Sequence, residues 1–344
     1  MMFPFRQHLL LFLLGVLVPM SSSRAADKQW LVFEGEEGPG RGKHIVLISG
    51  DEEYRSEESL PMLGKILSKR HGFKCTVLFS LHPDTGVVDP TYQNNLPGLE
   101  ALRTADLMIV ATRFRTPSEE QMRPFEEYLD SGKPVIGIRT ATHGFQGKWE
   151  YFGMKILGEE WAGHHGHHKQ EGTRAVIESA NADHPVLRSV TDVFGPTDVY
   201  GVTHLTGVET VLLRGAVTES LDPNSSVVAG EKNEPMMPLA WLREYESPSG
   251  KAHGQAFCTT AGASIDFLNA DLRRLIINTS FFLTGIEVPA NANVEPVDAF
   301  TPSFYGFFKE EGYWLRRGAR PADFDLGQTP APVDPPGTPE WKWR

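Results

Sequence analysis

The chain has 344 residues, with 33 Lys and Arg against 44 Asp and Glu, a formal net charge of −11, twelve His and two Cys. This length holds one large domain or two ordinary ones and buries a core without staples. The acidic balance, with no basic run and no zinc-finger spacing, repels phosphate backbones and excludes nucleic acid as a natural partner.

Residues 1–25 read as a secretory signal. Arg6 leads into the apolar run Leu9 to Val18, and Ser23-Arg24-Ala25 offers a small-x-small cleavage site. The run is too short to span a bilayer and no cysteine stands at the cleavage point to take a lipid. A mature chain of charge −13, after loss of Arg6 and Arg24, is therefore expected to be secreted or periplasmic, with no stable membrane span. Residues 26–43, polar and glycine-rich, read as an N-terminal arm.

From His44 the pattern changes. His44-Ile45-Val46-Leu47-Ile48-Ser49-Gly50 is a continuous apolar run, as expected of a strand buried on both faces of a parallel sheet. A helix follows with Ser56 as its cap, Pro61 in its first turns and Gly72 past its end. Further strands are predicted at 75–79, 106–111 and 134–138, with a short helix at 98–103. A second helix has Ser118 and Gln121 in capping-box positions and an internal Pro124. Strands alternating with helices predict an α/β fold with a doubly wound, mostly parallel sheet. In such a sheet ligands sit beyond the carboxyl ends of the strands. The loops there carry Asp51, Glu52, Glu53, Arg55, Arg113, Arg115, Arg139 and His143.

The segment 159–168, Glu159-Glu160-Trp161-Ala162-Gly163-His164-His165-Gly166-His167-His168, packs four imidazoles into five residues. Neutral imidazole is a metal ligand and a proton shuttle near neutral pH, and Gly166 lets the backbone turn. Extended, His165 and His167 share a face; helical, His164 and His168 do. Either way two or three ligands for a divalent ion are on offer, with room left for water or substrate, while a solvated polar loop is the bland alternative. No nucleotide is expected.

Past the cluster, strands are predicted at 173–178, 210–214, 239–244 and 255–260, and a last helix at 269–284 closed by Gly285. The loop 195–200 alternates polar residues, Asp198 and Tyr200 among them. From 288 proline recurs and aromatics gather, which predicts an extended tail over 288–344 lying on a domain of residues 44–287, or a surface for a partner or glycan. Cys75 and Cys258 sit in strand-like runs, where a bridge and two buried thiols are both ordinary outcomes.

The order Gly50-Asp51-Glu52-Glu53-Tyr54, Ala105-Asp106-Leu107-Met108-Ile109, Lys133-Pro134-Val135-Ile136-Gly137, Trp161 to His168, Asp183-His184-Pro185, Pro238-Leu239-Ala240-Trp241 and Thr259-Thr260-Ala261-Gly262 resembles the ThuA-like, or trehalose-utilisation, family in its secreted, planctomycete-type form. The resemblance implies a flavodoxin-like, class I glutamine amidotransferase-like fold. It implies carbohydrate metabolism, on oxidised sugars or glycosides, and a capacity for a divalent metal in some relatives. Amidotransferases need a cysteine at the strand-to-helix elbow. Arg139 stands there, which excludes thiol-based glutamine hydrolysis. Relatives carry histidine at that position and after the late glycine, where this chain reads Gly262-Ala263-Ser264.

The combined reading is a secreted, metal-assisted hydrolase or isomerase of a small carbohydrate. His164 and His168 are the first metal ligands, with His165 and His167 as alternates. His143, Glu159 and Glu53 are the catalytic candidates, and Asp51, Arg113, Arg139, Asp198 and Tyr200 are the substrate contacts. A non-catalytic carbohydrate-binding protein and a metal-free enzyme using His143 with a carboxylate stand beside it, and the oligomeric state is open.

Overall fold

The computed structural model describes Met1 and residues 28–340. The expected signal segment lies outside the described residues apart from Met1. Among the described residues ten strands form one sheet. In chain order the strands are β1 (Trp30–Phe33), β2 (His44–Gly50), β3 (Lys74–Phe79), β4 (Leu107–Thr112), β5 (Val135–Ile138), β6 (Thr173–Ile177), β7 (Phe194–Gly195), β8 (Thr210–Val217), β9 (Met237–Glu246) and β10 (His253–Thr259). The helices used below are α1 (Ser56–His71), α2 (Glu119–Asp130), α3 (Ala270–Leu283) and α4 (Tyr313–Arg317).

The spatial order is β1-β3-β2-β4-β5-β10-β9-β8-β6-β7. Strands β3, β2, β4, β5 and β10 run parallel, as the continuous apolar runs require. Period-two alternation makes the sheet two-sided. Ile45 and Leu47 of β2 join a core with Leu63, Ile66, Leu67, Leu275 and Ile276 of α1 and α3, whereas Val46 and Ile48 face Met122, Phe125 and Leu129 of α2. The parallel unit then continues into an antiparallel half, β9, β8, β6 and β7; the first three were foreseen without their direction, and the two-residue β7, at the start of the expected loop 195–200, was not foreseen.

Three local differences have physical reasons. The N-terminal arm contains β1, which pairs antiparallel with β3 and turns Leu31 and Phe33 inward, too short a run to stand out by periodicity. Ser56 is the first residue of α1 rather than its cap; its hydroxyl is drawn to Ser49 Oγ and the Gly50 amide, while Arg55 before it is left-handed at φ 64°. Cys75 and Cys258 are buried free thiols on β3 and β10, strands separated by three others, so no bridge forms.

The chain reverses its direction of winding at β2, going to β3 on one side and then to β4 on the other, the kind of switch point beyond whose strand ends α/β sheets bind ligands. Glu52 clasps that point, accepting from Arg113 Nη1 at 2.5 Å and Arg115 Nη2 at 3.0 Å. Asp51 bolts the β2 loop to the turn after β5. Its Oδ1 accepts the Glu53 and Tyr54 amides at 2.8 and 3.0 Å, and its Oδ2 accepts the Thr140 hydroxyl at 2.5 Å.

Burial, reinforced by the charge of Glu52, pushes the Asp51 carboxyl up from its ordinary 3.8 to about 6. Asp51→Ala strips two buried amides of their acceptor and is expected to cost about 1–3 kcal/mol. Asp51→Asn keeps an acceptor and should cost less. An acid whose folded pKa is raised favours the fold below its unfolded pKa, and that contribution is lost as pH climbs through the folded value. Between pH 4 and 6 the melting temperature of Asp51→Asn should therefore rise relative to the unsubstituted protein, and thermal scans showing a fall would contradict the assignment.

Candidate functional site

Three stretches distant in sequence meet above the carboxyl edge of β2, β5 and β10. The first is the histidine segment, which is neither strand nor helix. The His165 and Gly166 amides donate to Val199 O at 2.8 and 3.0 Å, and the Gly201 amide donates to Gly163 O at 2.9 Å. Residues 163–166 thus lie against 199–201, with His164 bridged to Tyr200. A side chain at Gly166 would bring Cβ to 3.1 Å from Cβ of Asp198, so glycine permits the approach. A bend at residues 165–166 then returns His168 to the same carboxylate.

Asp198 is the meeting point. Its Oδ2 lies 2.5 Å from His164 Nδ1 and its Oδ1 lies 2.9 Å from His168 Nδ1, each ring nitrogen donating to the carboxylate. Arg139 Nη2 stands 3.5 Å from Oδ1. Burial works against charge on Asp198, but the two histidines and the Arg139 guanidinium outweigh it and hold the carboxyl far below the usual carboxylate range. His168 shows the reciprocal effect: burial lowers its pKa, and the bonds to Asp198 and Glu53 more than compensate, so it is raised.

Arg139 opens the turn after β5 at φ 46°. Its guanidinium lies 4.2 Å from the ring centres of both Tyr54 and Tyr200 and donates to Thr260 O at 2.6 Å, Tyr54 Oη at 3.2 Å and Asp198 O at 3.3 Å. Burial opposes its charge, and Tyr200, Tyr54 and Asp198 restore it, leaving its pKa well above the ordinary value. Arg139 is an internal countercharge with cation–π support on both faces. Asp266 ties the third stretch in, accepting from the Thr197 hydroxyl at 2.7 Å and the Gly262 and Ala263 amides at 2.9 and 3.0 Å.

The remaining candidates divide. Glu53 is in the cluster, its Oε1 3.4 Å from His168 Nε2. Arg113, part-exposed, holds Glu52 and faces Glu53 at 3.9 Å. His143 packs tilted against Phe114 at 5.1 Å and Trp161 at 5.4 Å. Burial, with Arg113, Arg139 and His164 nearby, takes its pKa down to about 3, so it is a neutral ring at physiological pH.

Glu159 is spent elsewhere: its oxygens accept the Thr203 and His204 amides, both at 2.8 Å, and His204 Nδ1. His165 Nε2 donates to Lys232 O at 2.6 Å, and His167 turns outward to Glu171 and Lys232, so neither joins the pair. Asp51 and Tyr200 brace the walls rather than line an open face.

Sequence reasoning missed Tyr54 and Tyr305 as site residues. Tyr305 stacks on Tyr54 at 5.5 Å, meets His168 edge-on at 5.2 Å and donates to Pro196 O at 3.2 Å. Tyr54 adjoins the acidic turn and was within reach of inference; nothing local marks Tyr305.

One donor atom from each of His164, His168 and Asp198 lies within 4.8 Å of the other two, a spacing one divalent ion can span. The donor set suits zinc or another first-row ion; Asp198 on both Nδ1 atoms orients the rings, which leaves His164 Nε2 for a ligand, while His168 Nε2 lies 3.4 Å from Glu53 Oε1, a contact an ion would have to share or replace. Among the described residues no hydrogen-bond partner meets His164 Nε2.

No curated protein matches the chain. A ThuA-like protein from Parabacteroides merdae is 18% identical over 72% of this chain and 92% of its own, with a TM-score of 0.48. A ThuA-like protein from Bacteroides uniformis is 16% identical over 72% of this chain and 93% of its own, with a TM-score of 0.46. The family described as ThuA, trehalose utilisation, matches residues 45–281, most of the described chain, and the protein belongs to that family.

Proposed function

We propose that the protein is a secreted enzyme that hydrolyses or isomerises a glycoside or keto-sugar at the Asp198 cluster with the help of a divalent ion. The observation that carries this reading is the single buried carboxylate holding two imidazoles by their Nδ1 atoms, the arrangement by which proteins present a pair of Nε2 ligands. His164 and His168 would hold the ion, and a bound ion of this kind supplies Lewis acidity to a carbonyl or acidity to water. The family description supports a sugar as substrate, and the apolar run and cleavage site near the N-terminus support secretion.

The chain's own groups do the rest. Glu53, at the pair's open side, is placed to take or return a proton. Arg113, whose side chain is part-exposed, is placed to meet a sugar oxygen, whereas Arg139 is fully buried and serves by keeping Asp198 ionised. His143 offers a neutral ring for hydrogen bonding and not an acid.

A second reading rests on one contact. His168 is bridged by carboxylates at both nitrogens, Asp198 and Glu53, which favours an imidazolium and metal-free acid catalysis. A chelator separates the two, since only the metal-free enzyme keeps its turnover.

Two results are expected. In zinc titration calorimetry, His164→Ala with His168→Ala should abolish binding and Asp198→Asn should weaken it about 10–100-fold, while His165→Ala and His167→Ala bind as before; equal affinity across the set would remove the metal reading. In a turnover screen on glycosides and keto-glycosides, Glu53→Gln should lower kcat by about 10²–10⁴-fold, while Glu159→Gln acts mainly on the melting temperature. The reverse ranking would move the base to Glu159.

A further inference from the structure

The tail beyond α3 lies outside the residues that match the family, yet it reaches the centre of the site. Tyr305, fully buried, seats against His168 and Tyr54. The next amide, of Gly306, donates to Glu53 O at 2.8 Å. Gly306 has φ 141°, a backbone conformation that residues with a side chain rarely adopt, so glycine lets the tail thread this gap. The following residue, Phe307, comes out at the surface. The residue is 38% exposed, and its ring sits 5.1 Å from the Arg113 guanidinium. Farther along, Trp314 covers Arg55 at 4.7 Å, and Arg55 in turn holds Glu57 and Glu58, so the tail is pinned on both sides of Phe307.

A second large ring surfaces at the other side of the cluster. Trp161 is 41% exposed and lies 5.4 Å from His143 and 5.6 Å from His164. Both residues keep part of their surface open to solvent beside charged or imidazole groups. Neither is needed for the core, which closes around Tyr54, Phe304 and Tyr305 without them. A pyranose has the matching chemistry, with C–H faces that lie on an aromatic ring and hydroxyls at its edge that meet carboxylate, guanidinium and imidazole.

We infer that Phe307 of the tail and Trp161 of the histidine segment are the stacking faces of a pyranose subsite beside Glu53, Arg113 and His164. The tail is thereby a working wall of the site and contributes to its choice of sugar. This rests on the sugar reading given above and adds to it the residues that grip the ring. Phe307 touches none of the candidate metal ligands, so its role separates cleanly from theirs.

The test is calorimetric titration of the full chain with trehalose, with and without added zinc, in parallel with a zinc titration. Phe307→Ala and Trp161→Ala are each expected to weaken trehalose binding roughly tenfold, with recovery in Phe307→Tyr. Phe307→Ala should leave zinc affinity unchanged, and Leu315→Ala, an exposed apolar residue on α4, should bind trehalose normally. Trehalose binding that is unaltered in both alanine variants overturns the subsite and leaves the sugar reading standing. A chain that binds zinc but no trehalose overturns the subsite and the sugar reading together, and the metal centre then stands alone.

Discussion

A single ionised carboxylate, removed from water and shared between two imidazoles and a guanidinium, is the constraint on which this site depends. Burying Asp198 without partners would cost several kcal/mol, roughly, and the pairing offsets that cost only while His164, His168 and Arg139 all stay in place. Each of them is held by something else. Arg139 is fixed by a left-handed turn, two tyrosine faces and a carbonyl. His164 is fixed by the pairing of its segment with residues 199–201. His168 is fixed by the tail's Tyr305. The surrounding fold can be understood as the scaffold that keeps these partners around one point.

That scaffold follows from the reversal of winding at β2. The parallel strands deliver Asp51, Glu53, Arg113 and Arg139 to one edge, and the antiparallel half brings in Asp198 on the loop after β7. Asp266 stitches the two halves together through Thr197. The arrangement is dense with buried charge, and some charges have an opposite neighbour within salt-bridge distance, Glu52 with Arg113 and Arg115 and Arg55 with Glu57 and Glu58, while Asp51 and Asp266 are held by amides and hydroxyls. Such networks are demanding to assemble and specify a unique arrangement when satisfied, which is how a functional cluster of this kind stays rigid.

Much of this was legible in the residues themselves. Continuous branched apolar runs marked β2, β4 and β5, the capping signal at Ser118 marked α2, and Gly285 marked the end of α3, because these depend on local chemistry. The strand-end charges were legible for the same reason, through the topology that the runs imply. What was hidden depended on contacts distant in sequence. His164 and His168 do share one point, but a bend at residues 165–166 brings them there rather than a helix. Which imidazoles belonged to the pair was set by Asp198, thirty or so residues on, and His165 and His167 found other partners. Glu159 looked available because it adjoins the cluster; its backbone direction sends it to His204 instead. Tyr305 gave no local sign, since its role comes from a tail that folds back over the sheet edge.

The most direct test of the shared carboxylate is the protonation pattern of the two rings. Long-range proton–nitrogen correlation spectra of the histidine side chains, recorded above their titration range, distinguish a ring with its proton on Nδ1 from one with its proton on Nε2. If Asp198 holds both rings as described, His164 and His168 show the proton on Nδ1, and both lose that signature in Asp198→Asn. If instead both rings carry the proton on Nε2, as solvated histidines commonly do, or remain unchanged when Asp198 is replaced, the carboxylate does not organise the site and the account built on it is wrong.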